Sequence, residues 1–178
     1  MSTPPARPAG SNTVNPFIVT DDASALISFA TDVFGAVDVP EARTVDTDGL
    51  ILHSELRIDD SMIAVTDRKP GWPFTPALIQ VYVEDVQATV ERAETLGAQV
   101  ITQPTDFFGD VLARIQDPQA NLWWIYRHNP APDEQSWDNA ETDDTSWESY
   151  TSPELEYIHS TLINAMANLA DPRAASKP

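Results

Sequence analysis

One order of apolar runs occurs twice in this chain, and a duplicated unit restricts the fold more than any single motif does. VNPFIVT is a β-branched run with Pro16 near its start, where a first or edge strand tolerates a missing N–H. Asp21 or Asp22 then offers an N-cap. Leu26, Ile27, Phe29, Ala30, Val33 and Phe34 make a helical stripe, and Gly35 is the expected C′ residue. A weaker strand over 36–44, an acidic turn at Asp46, Asp48 and Gly49, and the alternating stretch LILHSELRIDDSMIAVTD complete a βαβββ unit. From Ala77 the order restarts. LIQVYVED reads as a strand, Val86 to Leu96 as a helix stopped by Gly97, AQVITQP as a strand, and DVLARIQD with NLWWIYR as a hairpin. FIVTDD stands against VYVEDV, and a helix ending FG-A against one ending LG-A, with the repeats roughly sixty residues apart. The expected fold is α+β, two tandem modules at about 14–70 and 77–128.

The flanks read differently. Residues 1–13 are rich in Pro, Ser and Ala without periodicity and are expected to be disordered. Residues 129–151 combine Pro, Ser, Asp and Glu with isolated aromatics and read as an acidic linker; no Lys or Arg occurs between His128 and Pro172. Ser152-Pro153-Glu154 is then a helix start, with an N-cap, a Pro at N1 and an acid in the first turn. Leu155, Ile158, Leu162, Met166 and Leu169 recur at spacings of three and four, so the helix over 152–169 must bury one stripe on its own domain or on a second copy. Residues 170–178 form a tail.

Composition narrows the function classes. A net charge of −18, from 28 acids against 10 basic residues, argues against a nucleic-acid backbone, which needs a basic face, and leaves cationic ligands open, although Arg57 and Arg114 weigh against one near Glu55. No apolar run reaches membrane-spanning length, and MSTPPARPAGSNT has neither a basic n-region nor an apolar h-region, so a cytoplasmic protein without a membrane partner is expected. The absence of cysteine removes disulfides, thiolate metal sites and cysteine nucleophiles together, leaving His, Asp and Glu as metal donors. No G-x-S-x-G, P-loop, dinucleotide fingerprint or H-E-x-x-H occurs.

The candidate site comes from the hairpin. If Asp59-Asp60 is its two-residue turn, Ile58 pairs with Ser61, Arg57 with Met62, Leu56 with Ile63, Glu55 with Ala64, Ser54 with Val65 and His53 with Thr66. Alternation places Leu56, Ile58, Ile63 and Val65 toward a helix layer and turns His53, Glu55, Arg57, Met62, Ala64 and Thr66 to the other face. His53 and Glu55 stand two residues apart on one strand, roughly 7 Å, close enough for a carboxylate to orient an imidazole. They are the candidate acid–base pair. A structural alternative has Glu55 pairing with Arg57 or His53 across a wet sheet face. In the second module the same alternation turns Leu112, Arg114, Gln116, Leu122, Trp124 and Tyr126 inward, with Phe107, Phe108, Trp72 and Phe74 at the rim. His128 and His159 read as surface groups.

The duplicated unit, its FIVTDD and VYVEDV openings, HSELRIDDS, ERAETLGAQVITQP, the GD before the seventh strand, and DPQANLWWIY resemble the vicinal oxygen chelate superfamily, and within it glyoxalase- and bleomycin-resistance-like members of the PhnB type. The resemblance covers about 14–128 and implies a half-open barrel in which each module curls into a sheet with helices outside and a pocket on the concave side. Metal-dependent members take one ligand from the first and one from the last strand of each module. The resemblance puts Asn15, Ala64, Leu78 and Trp124 at those positions, with Gln80 or Thr66 entering if the alignment shifts; Ala, Leu and Trp cannot donate and neither Gln80 nor Thr66 is a good ligand, so no metal and no cofactor are expected.

Three functions remain. The first is a metal-independent protein that binds a small organic ligand on the concave side, for sequestration or antibiotic resistance, as a homodimer; Arg57, Met62, Thr66, Arg114, Gln116, Trp124, Tyr126, Phe107 and Phe108 are its candidate ligand contacts. The second is a lyase, isomerase or epimerase using His53 and Glu55, with metal-dependent glyoxalase or dioxygenase chemistry ranked behind it. The third is an interaction protein acting through its C-terminal helix.

Overall fold

A computed structural model describes residues 7, 8, 10–129 and 152–174. The acidic linker expected over 129–151 lies outside the described residues apart from Asn129. Two βαβββ modules are present. The first comprises β1 (Phe17–Thr20), α1 (Ala23–Phe34), β2 (Val37–Val45), β3 (Ile51–Ile58) and β4 (Ser61–Asp67). The second comprises β5 (Leu78–Tyr82), α2 (Val86–Thr95), β6 (Gln99–Phe107), β7 (Asp110–Gln116) and β8 (Leu122–Arg127), and α3 (Pro153–Asn168) follows. The sheets have equivalent orders, β1-β4-β3-β2 and β5-β8-β7-β6, each with its first strand parallel to its last. This is the vicinal oxygen chelate architecture with an added C-terminal helix.

Local chemistry starts each helix. Asp22 Oδ1 accepts from Ala25 N at 2.8 Å, Asp85 Oδ1 from Ala88 N at 3.0 Å, and Ser152 Oγ from Leu155 N at 3.2 Å, so all three carry a side-chain N-cap. Gly35 ends α1 at φ +69°, a conformation available to glycine without steric cost. One face each of α1 and α2 joins the helix-facing sides of the two sheets in a common core: Leu26, Phe29, Val33, Val90 and Ala93 from the helices with Leu56, Ile63, Val65, Ile115, Trp123 and Ile125 from the strands. Phe34 lies 4.7 Å from the Trp123 ring, and Arg92 Nη2 donates to Val33 O at 3.0 Å. The modules therefore meet through their helices. No strand of one sheet comes within backbone contact distance of a strand of the other.

The turn before β8 is built on a buried acid. Asp117 accepts from Trp123 Nε1 at 2.9 Å, from Asn121 Nδ2 and from the N–H groups of Gln119 and Asn121. Burial raises the Asp117 carboxyl above its usual value, and these donors pull in the opposite direction. The DP turn is thus held by four donors on one carboxylate, one of them the indole N–H of Trp123, whose side chain is fully buried in the core.

α3 places only part of the stripe expected over 155–169: Ile158 is buried, Leu155, Leu162 and Leu169 are half-buried, and Met166 is exposed, the neighbouring Ala165 being buried instead. It packs on the face of the second sheet opposite α2, where Ile158 is buried against Leu112 and Tyr126, with Phe107 and Trp124 beside them. Polar contacts fix its register. Thr102 Oγ1 and Thr161 Oγ1 are 2.7 Å apart, Tyr157 Oη accepts from Gln103 N at 3.0 Å, and Arg114 Nη1 donates to Ile158 O at 2.7 Å. Beyond α3 the chain returns to the first module. Asp171 takes two hydrogen bonds from Arg68, at 2.9 and 2.6 Å, and Arg173 lies 3.0 Å from Asp21. Arg68 is buried and also donates to Asp21 at 2.7 Å, with Phe74 below its guanidinium.

Candidate functional site

The hairpin register expected from alternation is the observed one, from Ser54↔Val65 through Glu55↔Ala64 to Ile58↔Ser61, with Asp59 at φ +51° in the turn. Leu56, Ile63 and Val65 face the helices, as their apolar surface requires. His53, Glu55, Arg57, Met62, Ala64 and Thr66 consequently share the concave face. Phe17 joins them from β1 as the neighbour of Ala64, and Val37 and Val39 from β2 as neighbours of Arg57 and Glu55.

Within this face His53 Nε2 lies 3.3 Å from Glu55 Oε1, and the Phe17 ring centroid is 5.9 Å from the imidazole. The His53 side chain is 37 % exposed and that of Glu55 24 %, so a water-borne molecule reaches both. Met62, Ala64 and Thr66 form the buried floor, with Thr66 Oγ1 donating to Ile51 O at 3.0 Å. The N-terminal segment closes one end. Asn12 Oδ1 accepts from Met62 N at 3.0 Å, extending the β4 ladder beyond the reach of β1, and Gly10, at φ +82°, lies so near the Arg57 guanidinium that a Cβ there would collide with it. Hydrogen bonding to the domain thus begins two residues before Val14, where order was expected to start.

The second module's face is arranged on the same plan and covered. Arg114 pairs with Trp124 and Leu112 with Tyr126 in the ladder, which makes them the counterparts of Glu55, Ala64, His53 and Thr66. Arg114 is 4 % exposed, stacks 4.5 Å over the Trp124 ring and reaches the α3 backbone. Burial pulls its guanidinium below its usual value, yet an arginine stays protonated at any working pH. Burial likewise raises the Tyr126 hydroxyl, against the lowering charge of Arg114. Gln116 is half-buried beside Thr161 and Asn164 in a cleft between α3 and β6 and β7.

The expected ligand contacts therefore fall into two groups that one chain does not bring together. Arg57, Met62 and Thr66 surround His53 and Glu55; Arg114, Gln116, Trp124 and Tyr126 lie under or beside α3. Phe107 packs edge-on against Tyr126 and Phe108, which is itself exposed, while Trp72 is exposed and Phe74 sits on Arg68. His128 is exposed with Nδ1 2.9 Å from Asp110 Oδ1, and His159 is exposed on α3. Sequence reasoning missed Phe17 as a member of the face, because the parallel β1–β4 register is a long-range fact; its signal was the alternation of Phe17 and Val19 with Ile18.

The four positions that the resemblance assigns to metal ligands do not fit a metal here. The Asn15 side chain is engaged by the Asn12 backbone through 3.0 and 3.1 Å bonds, and Ala64, Leu78 and Trp124 bring no donor. Among the described residues no three His, Asp or Glu side chains converge. His53 and Glu55 are one imidazole and one carboxylate without a third donor.

Comparison with known proteins agrees with this architecture. An uncharacterized protein of Mycobacterium bovis, Mb0911c, is 31 % identical over 122 residues, covering 62 % of this chain and 79 % of that protein. Among solved structures, TioX from Micromonospora sp. ML1 superposes with a TM-score of 0.52 at 20 % identity, over 67 % of this chain and 98 % of TioX. The fosfomycin resistance protein FosX of Listeria monocytogenes, crystallised with Mn(II) and sulfate, superposes at 0.50 with 15 % identity, over 67 % and 93 % of the two chains. The model of the glyoxalase-like domain matches residues 16–125, from the first strand of one module to the last strand of the other, and the chain belongs to that family.

Proposed function

We propose that the protein binds a small organic molecule on the concave face of its first module, without a metal ion, as a member of the PhnB type. One observation carries the reading. At equivalent ladder positions the two modules hold Ala64 and Trp124, and the small residue leaves the first face open above a buried floor, with His53, Glu55 and Phe17 around it. A concave surface with a few convergent polar groups and an aromatic wall is the usual form of a small-molecule site. Separation of the two faces within one chain also favours a homodimer, in which a second copy would supply the opposite wall. Sequestration or antibiotic resistance is the biological role we attach to this binding, and a cytoplasmic location accompanies it.

A second reading rests on the His53–Glu55 contact. A carboxylate 3.3 Å from Nε2 orients the ring, leaving Nδ1 turned toward a bound molecule. A lyase, isomerase or epimerase needs one such pair.

Thermal-shift screening of a small-molecule panel tests binding, since a ligand at one hundred times its Kd adds about 2.7 kcal/mol of stability. Hits are expected to lose their effect in His53→Ala and Glu55→Gln. Hits that stabilise both variants as they do the wild type would remove this face from consideration. Turnover lost in both variants would favour the enzyme.

A further inference from the structure

We infer that the ligand of the first module is an organic anion and that Arg57 is its anchor. The inference rests on the binding reading above and names the chemical class that this face selects.

Arg57 is the cation left over on the face. Glu55 and Asp59 each stand two residues from it in sequence, but Glu55 is turned to His53 and Asp59 is exposed in the turn without a bond to Arg57. Among the described residues no carboxylate and no other hydrogen-bond acceptor meets the Arg57 guanidinium, and its Nε is buried without a partner. The surroundings make this unusual. The chain holds 28 acids against 10 basic residues, so a partner is statistically easy to supply. Arg43 pairs with Asp38, and Arg68 and Arg173 share Asp21. Arg92 and Arg114 reach backbone carbonyls. A half-buried guanidinium without an acceptor costs free energy, because its donors have lost water and gained nothing.

What surrounds Arg57 supplies the rest of the ligand's description. Gly10 lies against the guanidinium and Asn12 holds the segment there, so the planar group is backed on one side. Across the ladder stand Val37 on one side and Met62 on the other, and Val37 and Phe17 are more than half exposed. A guanidinium with its fork of N–H groups matches a carboxylate or another planar pair of oxygens. Beside it the apolar side chains accept a hydrocarbon or aromatic body. The face thus fits a small amphipathic acid, its anionic end on Arg57 and its body toward Phe17 and His53. The overall negative charge of the protein makes such an anion an improbable casual binder, so affinity for one reports this site.

Titration of the full-length ¹⁵N-labelled protein with benzoate, benzamide and benzylammonium separates the possibilities. Benzoate is expected to shift the amide signals of Phe17, Glu55, Arg57 and Ala64 and to bind roughly ten-fold more tightly than benzamide, about 1.4 kcal/mol. Arg57→Gln is expected to reduce benzoate to the level of benzamide, while Arg57→Lys, which keeps the charge, retains part of the preference; unchanged spectra elsewhere establish that both variants fold. Equal binding of benzamide or benzylammonium at this face, or benzoate binding untouched by Arg57→Gln, overturns the anion assignment and leaves the face a binding site. Shifts from none of the three probes overturn it together with the reading on which it stands.

Discussion

The two concave faces differ although one supersecondary unit built both. Each presents alternate residues of an antiparallel hairpin flanked by a parallel first strand, and the ladder registers are equivalent. In the first module the sequence fills these places with His53, Glu55, Arg57 and Ala64. In the second it fills them with Leu112, Arg114, Gln116 and Trp124, and α3 roofs them. Duplication therefore delivers two surfaces of the same shape, and side-chain volume and polarity decide which one is kept. The larger and more apolar set recruits a helix of the same chain, because exposed apolar area is removed from water at little further chain entropy once the helix is tethered. The smaller, polar set keeps its access to solvent.

This contrast can be broken most forcefully by deleting residues 152–178. Without α3, Leu112, Tyr126 and the charged Arg114 face water, and the loss of stability is expected to be roughly 3 kcal/mol or more, from the apolar burial and the hydrogen bonds together. Chemical denaturation measures it, and a dye that fluoresces on apolar surfaces should brighten. An unchanged midpoint with no added dye binding would mean that the second face does not need its roof. Arg114→Met is a gentler test. Replacing a buried guanidinium that lacks a carboxylate by an apolar side chain of similar length is expected to leave stability within about 1 kcal/mol of wild type or to raise it. A loss several times larger would show that the Arg114–Ile158 hydrogen bond, and not apolar packing, holds α3.

The smallest effect is expected at the clamp behind α3. The Arg68 guanidinium beside Asp171 holds its carboxyl below the ordinary aspartate value of 3.8. A depressed folded-state pKa adds stability that is present above 3.8 and fades as pH falls through the folded value, so the tail should detach only in acid. Asp171→Asn should reproduce that state at neutral pH. Hydrogen exchange at residues 169–173 is expected to quicken while the first module's face is unaffected. Exchange unchanged in the variant would assign the anchoring to Arg173 and Asp21 instead.

Much of this was legible in the residues. Alternation with a two-residue turn placed His53, Glu55 and Arg57 together and gave the register from Ser54 to Ser61, since side chains on a pleated strand have only two directions. The helix caps at Asp22, one of the two aspartates offered, and at Ser152 are local chemistry and needed no fold. What the residues left open involved choices among partners. Glu55 could have met Arg57 or His53, which stand equally far along the strand, and side-chain conformation in the folded sheet selected His53. Asn12 lies in a stretch without periodicity, and its bond to Met62 spans fifty residues.

The sequence alone thus determined the duplicated unit, the inward and outward residue of each hairpin, and an amphipathic last helix. All of these are periodic or compositional properties that a chain carries before it folds. Only the tertiary structure decided that this helix covers the second module's face, that its far end is pinned by Arg68, and that Arg57 is left without a carboxylate of its own. An apolar stripe states how much surface must be buried and is silent on where, because burial is non-directional. The destination is set by polar contacts such as Thr102 with Thr161 and Arg114 with Ile158, and these exist only once distant segments have met.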